Sequence, residues 1–478
     1  MKKTLCLLII AATACFVAEA RINIDDCLKN IKALKGAHVG VFACTLDGDT
    51  LAFHNGDELF VPASNMKLVT TASAIASLGG DYRYRTGIAV SGEVQDSVLC
   101  GNVYITGGGD PTIAYPGSPE KVFISWMDML SAAGIRKIEG KVIGDGGFFP
   151  GMKEHPSWEL ADTGTYYGTG TSGLQFAGNT LNFRVSPGAC PGDSLQIEQT
   201  YPRTPWMNFT YDCTTGKKGT GDQLYLYTAD YSENAVLRGT YACDKKPKVV
   251  GCSNKFPELT CAREFALFLE SRGIPSGGFA TGVTPVDAVK LGETLSAPLS
   301  EIIVPLNRES DNFLAETIFR TMGREFAGDA GYDSCAKVER AVLDSIGAGG
   351  DGNFVIVDGS GLSSSNLVSP ALICRLLRIM LEKDASGAFL SSLPVAGVNG
   401  TVSSFLSGLP DEVRHSFHLK SGSMGGVRAY SGYYLPKNGT PFIFSVIINN
   451  SPSSASRLVS AAGEIISSMV ARITRTDG

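Results

Sequence analysis

The sequence predicts a multi-domain α/β protein in which one helix-flanked sheet is assembled from both ends of the chain and a β-rich region is inserted between them. Three patterns lead there. Apolar residues recur at helical spacing after Pro62 and again beyond Leu299, and alternating apolar strands lie near both termini. Between about residues 81 and 290 the texture changes to short β-rich runs, frequent glycine and clustered cysteine. The predicted division is a leader at 1–20, a first domain of 21–80 plus 291–478, and 81–290 inserted as one or two small domains. With 478 residues, 44% hydrophobic and 18% charged, there is material for more than one core.

Lys2 and Lys3, the apolar run Leu5 to Ala14, and Ala18-Glu19-Ala20 read as a secretory signal peptide. The rival reading is a lipoprotein signal acylated at Cys15. Ala12 stands where a leucine would be expected and no acidic sorting stretch follows, so an exported, periplasmic soluble protein is favoured. No later segment approaches the ~20 uninterrupted apolar residues of a membrane helix. The net charge of −6 without a basic block argues against a nucleic-acid partner. Of twelve cysteines, all but Cys6 and Cys15 lie beyond the leader, and export permits disulfides. Cys190, Cys213, Cys243, Cys252 and Cys261 crowd together, whereas Cys27, Cys44 and Cys374 sit in apolar runs as buried thiols would. Without a C-x-x-C or H-E-x-x-H pair, zinc is not expected.

Residues 22–35 read as a short amphipathic helix capped by Asp25 or Asp26. A hairpin follows, His38 to Thr45 returning through Leu51 to Phe53 after Asp47-Gly48-Asp49. Pro62 then precedes a helical run of Met66, Leu68, Val69, Ala72, Ile75 and Ala76, stopped by Gly79-Gly80, so Ser64 opens a buried helix. Helical periods resume near Leu299 and continue through Phe313 to Met322, Ala336 to Ile346 and Pro370 to Leu381. Strands are expected at His418 to Ser423, Val427 to Leu435 and Phe442 to Ile448, the last after an Asn438-Gly439 turn. A helix from Ser454 to Ile473 keeps the 3.6 period and closes the chain. Packing on the sheet is favoured for it over membrane-surface anchoring, because it has few basic residues.

Three short motifs carry chemistry. In Ser64-Asn65-Met66-Lys67 the lysine lies one turn beyond the serine on the same helix face. A serine is a poor nucleophile until a base takes its proton, and a lysine serves as that base only with a lowered pKa. Alone, this pattern is usually a helix start with a solvated lysine. Ser310-Asp311-Asn312 offers a hydroxyl and a carboxamide two positions apart ahead of a helix, and alone would be an ordinary cap. In His418-Leu419-Lys420-Ser421-Gly422-Ser423, Lys420 supplies a fixed cation for a terminal carboxylate and Gly422 permits close approach of a ligand backbone. Alone, that lysine would be a solvated strand end.

Together and in this order, S-x-x-K, S-x-N and K-[ST]-G are the set of β-lactamases and penicillin-binding proteins. The whole mature chain resembles the class C low-molecular-mass penicillin-binding proteins, the D-alanyl-D-alanine carboxypeptidase/endopeptidase family. Longer stretches carry the likeness too: Tyr104 to Thr112, Asp358 to Ser363 with Asn366 to Pro370, and Leu393 to Thr401. The interval from Ser64 to Ser310 far exceeds that from Ser310 to Lys420, which class A β-lactamases have no room for. Ser421 stands where threonine is commoner, a hydroxyl for a hydroxyl.

The resemblance implies a serine β-lactamase/transpeptidase-like α-β sandwich with inserted domains, and no cofactor or metal. It implies carboxypeptidase and/or endopeptidase action on peptidoglycan peptides, with β-lactam antibiotics as inhibitors. It casts Ser64 as nucleophile, Lys67 as its base, Ser310 with Lys420 as proton relay, and Asn312 as partner of the acyl chain's amide. Lys420, Ser421, Gly422 and Ser423 would receive the terminal carboxylate and the oxyanion. Trp158 to Gly168 is similar to an inserted stretch that approaches a diamino acid's free end, where Asp162 would pair with the ammonium beside Tyr167. The alternatives are a β-lactamase-like hydrolase and a non-catalytic peptidoglycan-binding or β-lactam-sensing module.

Other patterns read as decoys. Gly168 to Gly173 matches G-x-G-x-x-G without the strand and helix a dinucleotide site needs. Gly107-Gly108-Gly109-Asp110 lacks the G-K-[ST] ending of a phosphate loop. Asp110, Asp358 and Ser360 are candidates either for supporting the site or for glycine-rich turns. No G-x-S-x-G is present, and the five histidines have no serine partner that sequence can name.

Overall fold

The structure is a computed structural model, and it describes residues 22–230 and 232–473. The predicted leader, with Cys15, lies outside the described residues. Both ends of the chain meet in a five-stranded antiparallel sheet, ordered Phe417–Met424, Val427–Tyr434, Phe442–Asn449, His38–Cys44, Thr50–His54. His38 pairs with Asn449 and Cys44 with Ile443, so the N-terminal hairpin docks against the last strand. Every residue of Phe442–Asn449 is buried. A strand covered on both faces reads as a nearly continuous apolar run, here interrupted only by the buried Ser445 before Asn449 ends it.

The terminal helices cover one face. Leu458, Ala462, Ile465, Ile466 and Met469 of Ala455–Ile473 pack on Val39, Val41, Phe444 and Val446. The first helix is shorter than expected, Asp25–Asn30, and neither aspartate caps it; Asn23 Oδ1 accepts from Asp25 N at 3.1 Å instead. The other face carries Met66–Ser77, Leu299–Glu309, Asn312–Ala327, Tyr332–Ile346 and Pro370–Lys383, joined through Leu68, Val69, Leu306, Ile318, Phe319, Leu376 and Tyr433. Met66–Ser77 is buried almost all round, which places Lys67 at the centre of the layer and out of water.

The residues between these ends build two further cores. One is a five-stranded sheet ordered Phe279–Thr281, Val142–Asp145, Val103–Thr106, Arg85–Val90, Val289–Leu295. Helices Glu120–Ala132 and Pro257–Ser271 cover it with Phe123, Trp126, Leu130, Phe265 and Leu269. This part is thus richer in helix than a β-rich reading allows. The aromatic and β-branched run Val122-Phe123-Ile124 has strand-like composition, and the tertiary contacts of Trp126 and Leu130 override it. The boundary expected at 290/291 also moves, because Val289–Leu295 pairs along its length with Arg85–Val90. It is an edge strand, half exposed, so its alternation was weak.

The remaining core holds Leu181, Phe183, Val185, Leu226 and Leu237 between two three-stranded sheets. Cys252 packs here while Cys261 belongs to the neighbouring helical core, which splits the cysteine-rich stretch in space. All ten described cysteines are unbridged thiols. No helix of the described residues is long and apolar enough to cross a membrane.

Candidate active site

Ser64 sits in a 3₁₀ turn, Ala63–Asn65, that feeds the helix Met66–Ser77, rather than in the helix itself. Ala63 has φ 46°, a left-handed conformation that costs a non-glycine residue on the order of 1–3 kcal/mol and persists only where the surroundings fix it. They do so here. Asn65 Nδ2 donates to Ser431 Oγ at 2.7 Å, and Gly361 lies so near that a Cβ there would stand 1.9 Å from Ala63 O. Gly422 is needed for the same packing. A Cβ on it would stand 2.7 Å from Pro62 O, so the close approach it permits is first of all to the protein's own serine turn.

Lys67 is fully buried, and its Nζ lies 3.0 Å from Ser64 Oγ, 2.5 Å from Asn312 Oδ1 and 2.7 Å from Ser360 O. Burial lowers its pKa to about 8, against the opposing pull of Asp358, Glu316 and Asp311. Lys420 is also buried, not a solvated strand end. Its Nζ donates to Ser310 Oγ at 2.8 Å and to Ser421 O at 2.7 Å. Burial, then the neighbouring Lys67 charge, hold Lys420 well below the usual lysine range.

The Ser-Asp-Asn triplet divides between two helices. Ser310, at φ 60°, ends Leu299–Glu309; Asp311 caps the next helix by accepting from Leu314 N at 2.9 Å; Asn312 is that helix's first residue. Ser421 Oγ meets Thr401 Oγ1 at 2.7 Å. Ser64, Ser310, Asn312 and Ser423 line one cleft of about 1000 Å³, whereas Lys67, Lys420, Ser421 and Gly422 do not line it.

The inserted stretch reaches the same cleft. Asn312 Nδ2 donates to Tyr167 O at 2.8 Å, and Tyr167 OH donates to Asp162 Oδ1 at 2.9 Å. Partial burial and then the bond to Asp162 push the Tyr167 phenol up to about 12. Trp158 is turned the other way, its Nε1 donating to Asp358 Oδ2 at 2.9 Å. Asp358 and Ser360 therefore stand behind Lys67. Asp110 instead closes its own turn, accepting from Thr112 N and Oγ1 at 2.8 and 2.6 Å.

Sequence reasoning missed Tyr115, Glu159 and Glu316. Tyr115 lines the cleft and bonds Asp311; Glu159 lines it beside Asp162; Glu316 is buried next to Ser360. Position relative to Asp162 could have marked Glu159, whereas Tyr115 carries no local signal. Among the described residues no group of three His, Cys, Asp or Glu is placed to hold a metal ion.

This fold and site are those of a serine-type peptide hydrolase that resembles the penicillin-binding proteins. The chain belongs to the D-Ala-D-Ala carboxypeptidase 3 (S13) family, whose profile matches residues 20–471. It is 30% identical to the D-alanyl-D-alanine carboxypeptidase of Actinomadura sp. (strain R39), over 92% of this chain and 82% of that one. Its fold matches penicillin binding protein 4 of Haemophilus influenzae with a TM-score of 0.81 at 22% identity, covering 93% of this chain and 98% of that chain. The same Haemophilus protein complexed with a β-lactam matches with a TM-score of 0.77 at 21% identity, over 93% of this chain and 99% of that chain.

Proposed function

We propose that this chain is an exported, periplasmic peptidase that cleaves D-Ala-D-Ala bonds, or the D-Ala to diamino-acid cross-link, in peptidoglycan stem peptides through an acyl-enzyme on Ser64. The observation that carries the reading is the buried Lys67 amine 3.0 Å from Ser64 Oγ, in a cleft that Ser310, bonded by the buried Lys420, also lines. Lys67, as the neutral amine, accepts the Ser64 proton while Oγ attacks the carbonyl carbon. Backbone N–H groups of Ser64 and Ser423 receive the oxyanion, each such donor typically contributing about 10²–10³ in rate.

Collapse breaks the C–N bond, and the proton that Lys67 took is relayed through Lys420 and Ser310 to the leaving amine, which leaves Lys67 neutral again. Water then cleaves the ester with Lys67 as base, restoring Ser64. Lys420 with Ser421 holds the terminal carboxylate. Asn312 bridges Lys67 and the Tyr167 carbonyl, so substrate entry exchanges that second bond for one to the acyl amide. Asp162, beside Tyr167, receives the ammonium of a diamino acid. β-Lactams place a strained amide and a carboxylate on the same groups and acylate Ser64.

Digestion of purified muropeptides by the mature protein tests this. Trimming of pentapeptides to tetrapeptides, or splitting of cross-linked dimers, supports it. Rapid penicillin turnover without either product favours a β-lactamase, and no turnover of any of these favours a binding module.

A further inference from the structure

Two fully buried carboxyl groups, from two different elements, lie behind Lys67, and they are not equivalent. Asp358 receives hydrogen bonds from Gly361 N at 2.8 Å, Asn366 Nδ2 at 2.7 Å, Ser363 N at 2.7 Å and Trp158 Nε1 at 2.9 Å. Four donors suit a carboxylate. Glu316, on the helix Asn312–Ala327, accepts from Ser360 N at 2.7 Å through Oε1, with the Ser360 hydroxyl and the Gly359 N–H also close to the carboxyl, while its buried Oε2 has no partner of full hydrogen-bond geometry. An ionised oxygen left bare out of water is costly. Burial and then the Asp358 charge push Glu316 up to about 8, with the Ser360 and Gly359 groups only partly offsetting them.

Ser360 is consequently held from two sides. Its N–H is given to Glu316, and its carbonyl receives Lys67 Nζ at 2.7 Å. None of the chemical steps above uses Glu316.

We propose that Glu316 is a positioning residue for Lys67: it clamps Ser360 so that the Ser360 carbonyl aims the amine at Ser64, and its proton governs how much negative charge that amine sees. This rests on Lys67 being the base. As an acid, Glu316 leaves Asp358 as the compensating carboxylate; as a carboxylate, it would favour the protonated, unreactive lysine. The charged and titratable groups around Glu316 are Lys67 from the serine helix, Asp358 from the turn, Tyr332, Cys335 and Glu339 from the helix Tyr332–Ile346, and the buried Arg320 one turn on along its own helix.

The test measures the second-order rate of acylation by a fluorescent penicillin, across pH, on the full mature protein. Glu316→Ala is expected to lose about tenfold or more, through misplacement of the base. Glu316→Gln, which keeps the acceptor for Ser360 N, should regain most of that loss. Because Glu316 acquires its charge only as the pH rises toward about 8 and the amide never does, the midpoint of the acid limb, where both groups titrate, should lie about half a pH unit lower in Glu316→Gln than in wild type. A residue with a merely structural role would leave the limb where it was.

Glu316→Ala at the wild-type rate, or an unmoved limb in Glu316→Gln, overturns the proposal. If Glu316→Ala does not fold, the Glu316→Gln profile decides alone. Lys67→Arg is the control for the underlying reading: acylation of that variant at the wild-type rate would remove the base itself, a failure separate from either Glu316 result.

Discussion

Lys420 Nζ donates to Ser310 Oγ at 2.8 Å across 110 residues of sequence, joining a strand of the sheet to the turn between two helices. Both partners are fixed by backbone. Lys420 alternates inward on Phe417–Met424, and Ser310 adopts the left-handed conformation that ends one helix and allows Asp311 to start the next. A second buried amine, Lys67, stands close enough for its charge to depress Lys420. Two lysinium ions in one dry site are unfavourable, and it is Lys420 that the Lys67 charge lowers, whereas burial alone lowers Lys67.

The first consequence is a pH dependence. Lys67 titrates at about 8, lowered mainly by burial, and its neutral form is the reactive one. The acylation rate by penicillin should therefore fall about tenfold per pH unit below that value and level off above it. Stopped-flow acylation between pH 5 and 9 checks the sign, and a rate that rises toward acid would refute it.

Removing the strand lysine should be more damaging than its distance from Ser64 implies. Lys420→Ala deletes the partner of Ser310 and the cation for the substrate carboxylate, and kcat/KM for a D-Ala-D-Ala peptide should drop by about 10²–10⁴. Ser310→Ala, with the cation left in place, should lose less. Equal and small losses in steady-state assays would contradict the assigned pairing.

Asp162 should act on substrate choice rather than on chemistry. Asp162→Asn is expected to raise KM about tenfold for peptides whose diamino acid carries a free ammonium, and to leave peptides lacking that charge close to wild type. Paired measurements on the two peptide classes decide it, with an equal effect on both counting against the pairing.

Stability and activity should fail together at Gly361. A Cβ there would overlap Ala63 O at 1.9 Å, and φ is +76°, so no side chain fits without moving the serine turn. Gly361→Ala should cost about 1–3 kcal/mol in thermal or urea unfolding and slow acylation as well. A variant with wild-type stability would show that the turn is looser than this packing.

The sheet and the three motifs were legible because each rests on local signals. The 3.6 period of Leu458 to Ile473 and the largely apolar run Phe442 to Ile448 both survive in the structure. Less legible were features that exist only through tertiary contact. The helix Glu120–Ala132 was obscured by its strand-like run Val122-Phe123-Ile124, although Phe123, Trp126 and Leu130 keep the helical period and pack in the core. Tyr115 and Glu316 sit in ordinary loop and helix positions, and become notable only beside Asp311 and Ser360. Gly422 was assigned to ligand approach, yet its closest neighbour is Pro62 O, a contact no linear pattern reveals.

The most direct test of the central claim is mass spectrometry of the mature protein after incubation with benzylpenicillin, followed by peptide mapping. The account predicts one penicilloyl adduct on the peptide containing Ser64, absent from Ser64→Ala and strongly slowed in Lys67→Ala. An adduct on any other residue, or undiminished labelling of Ser64→Ala, would contradict it.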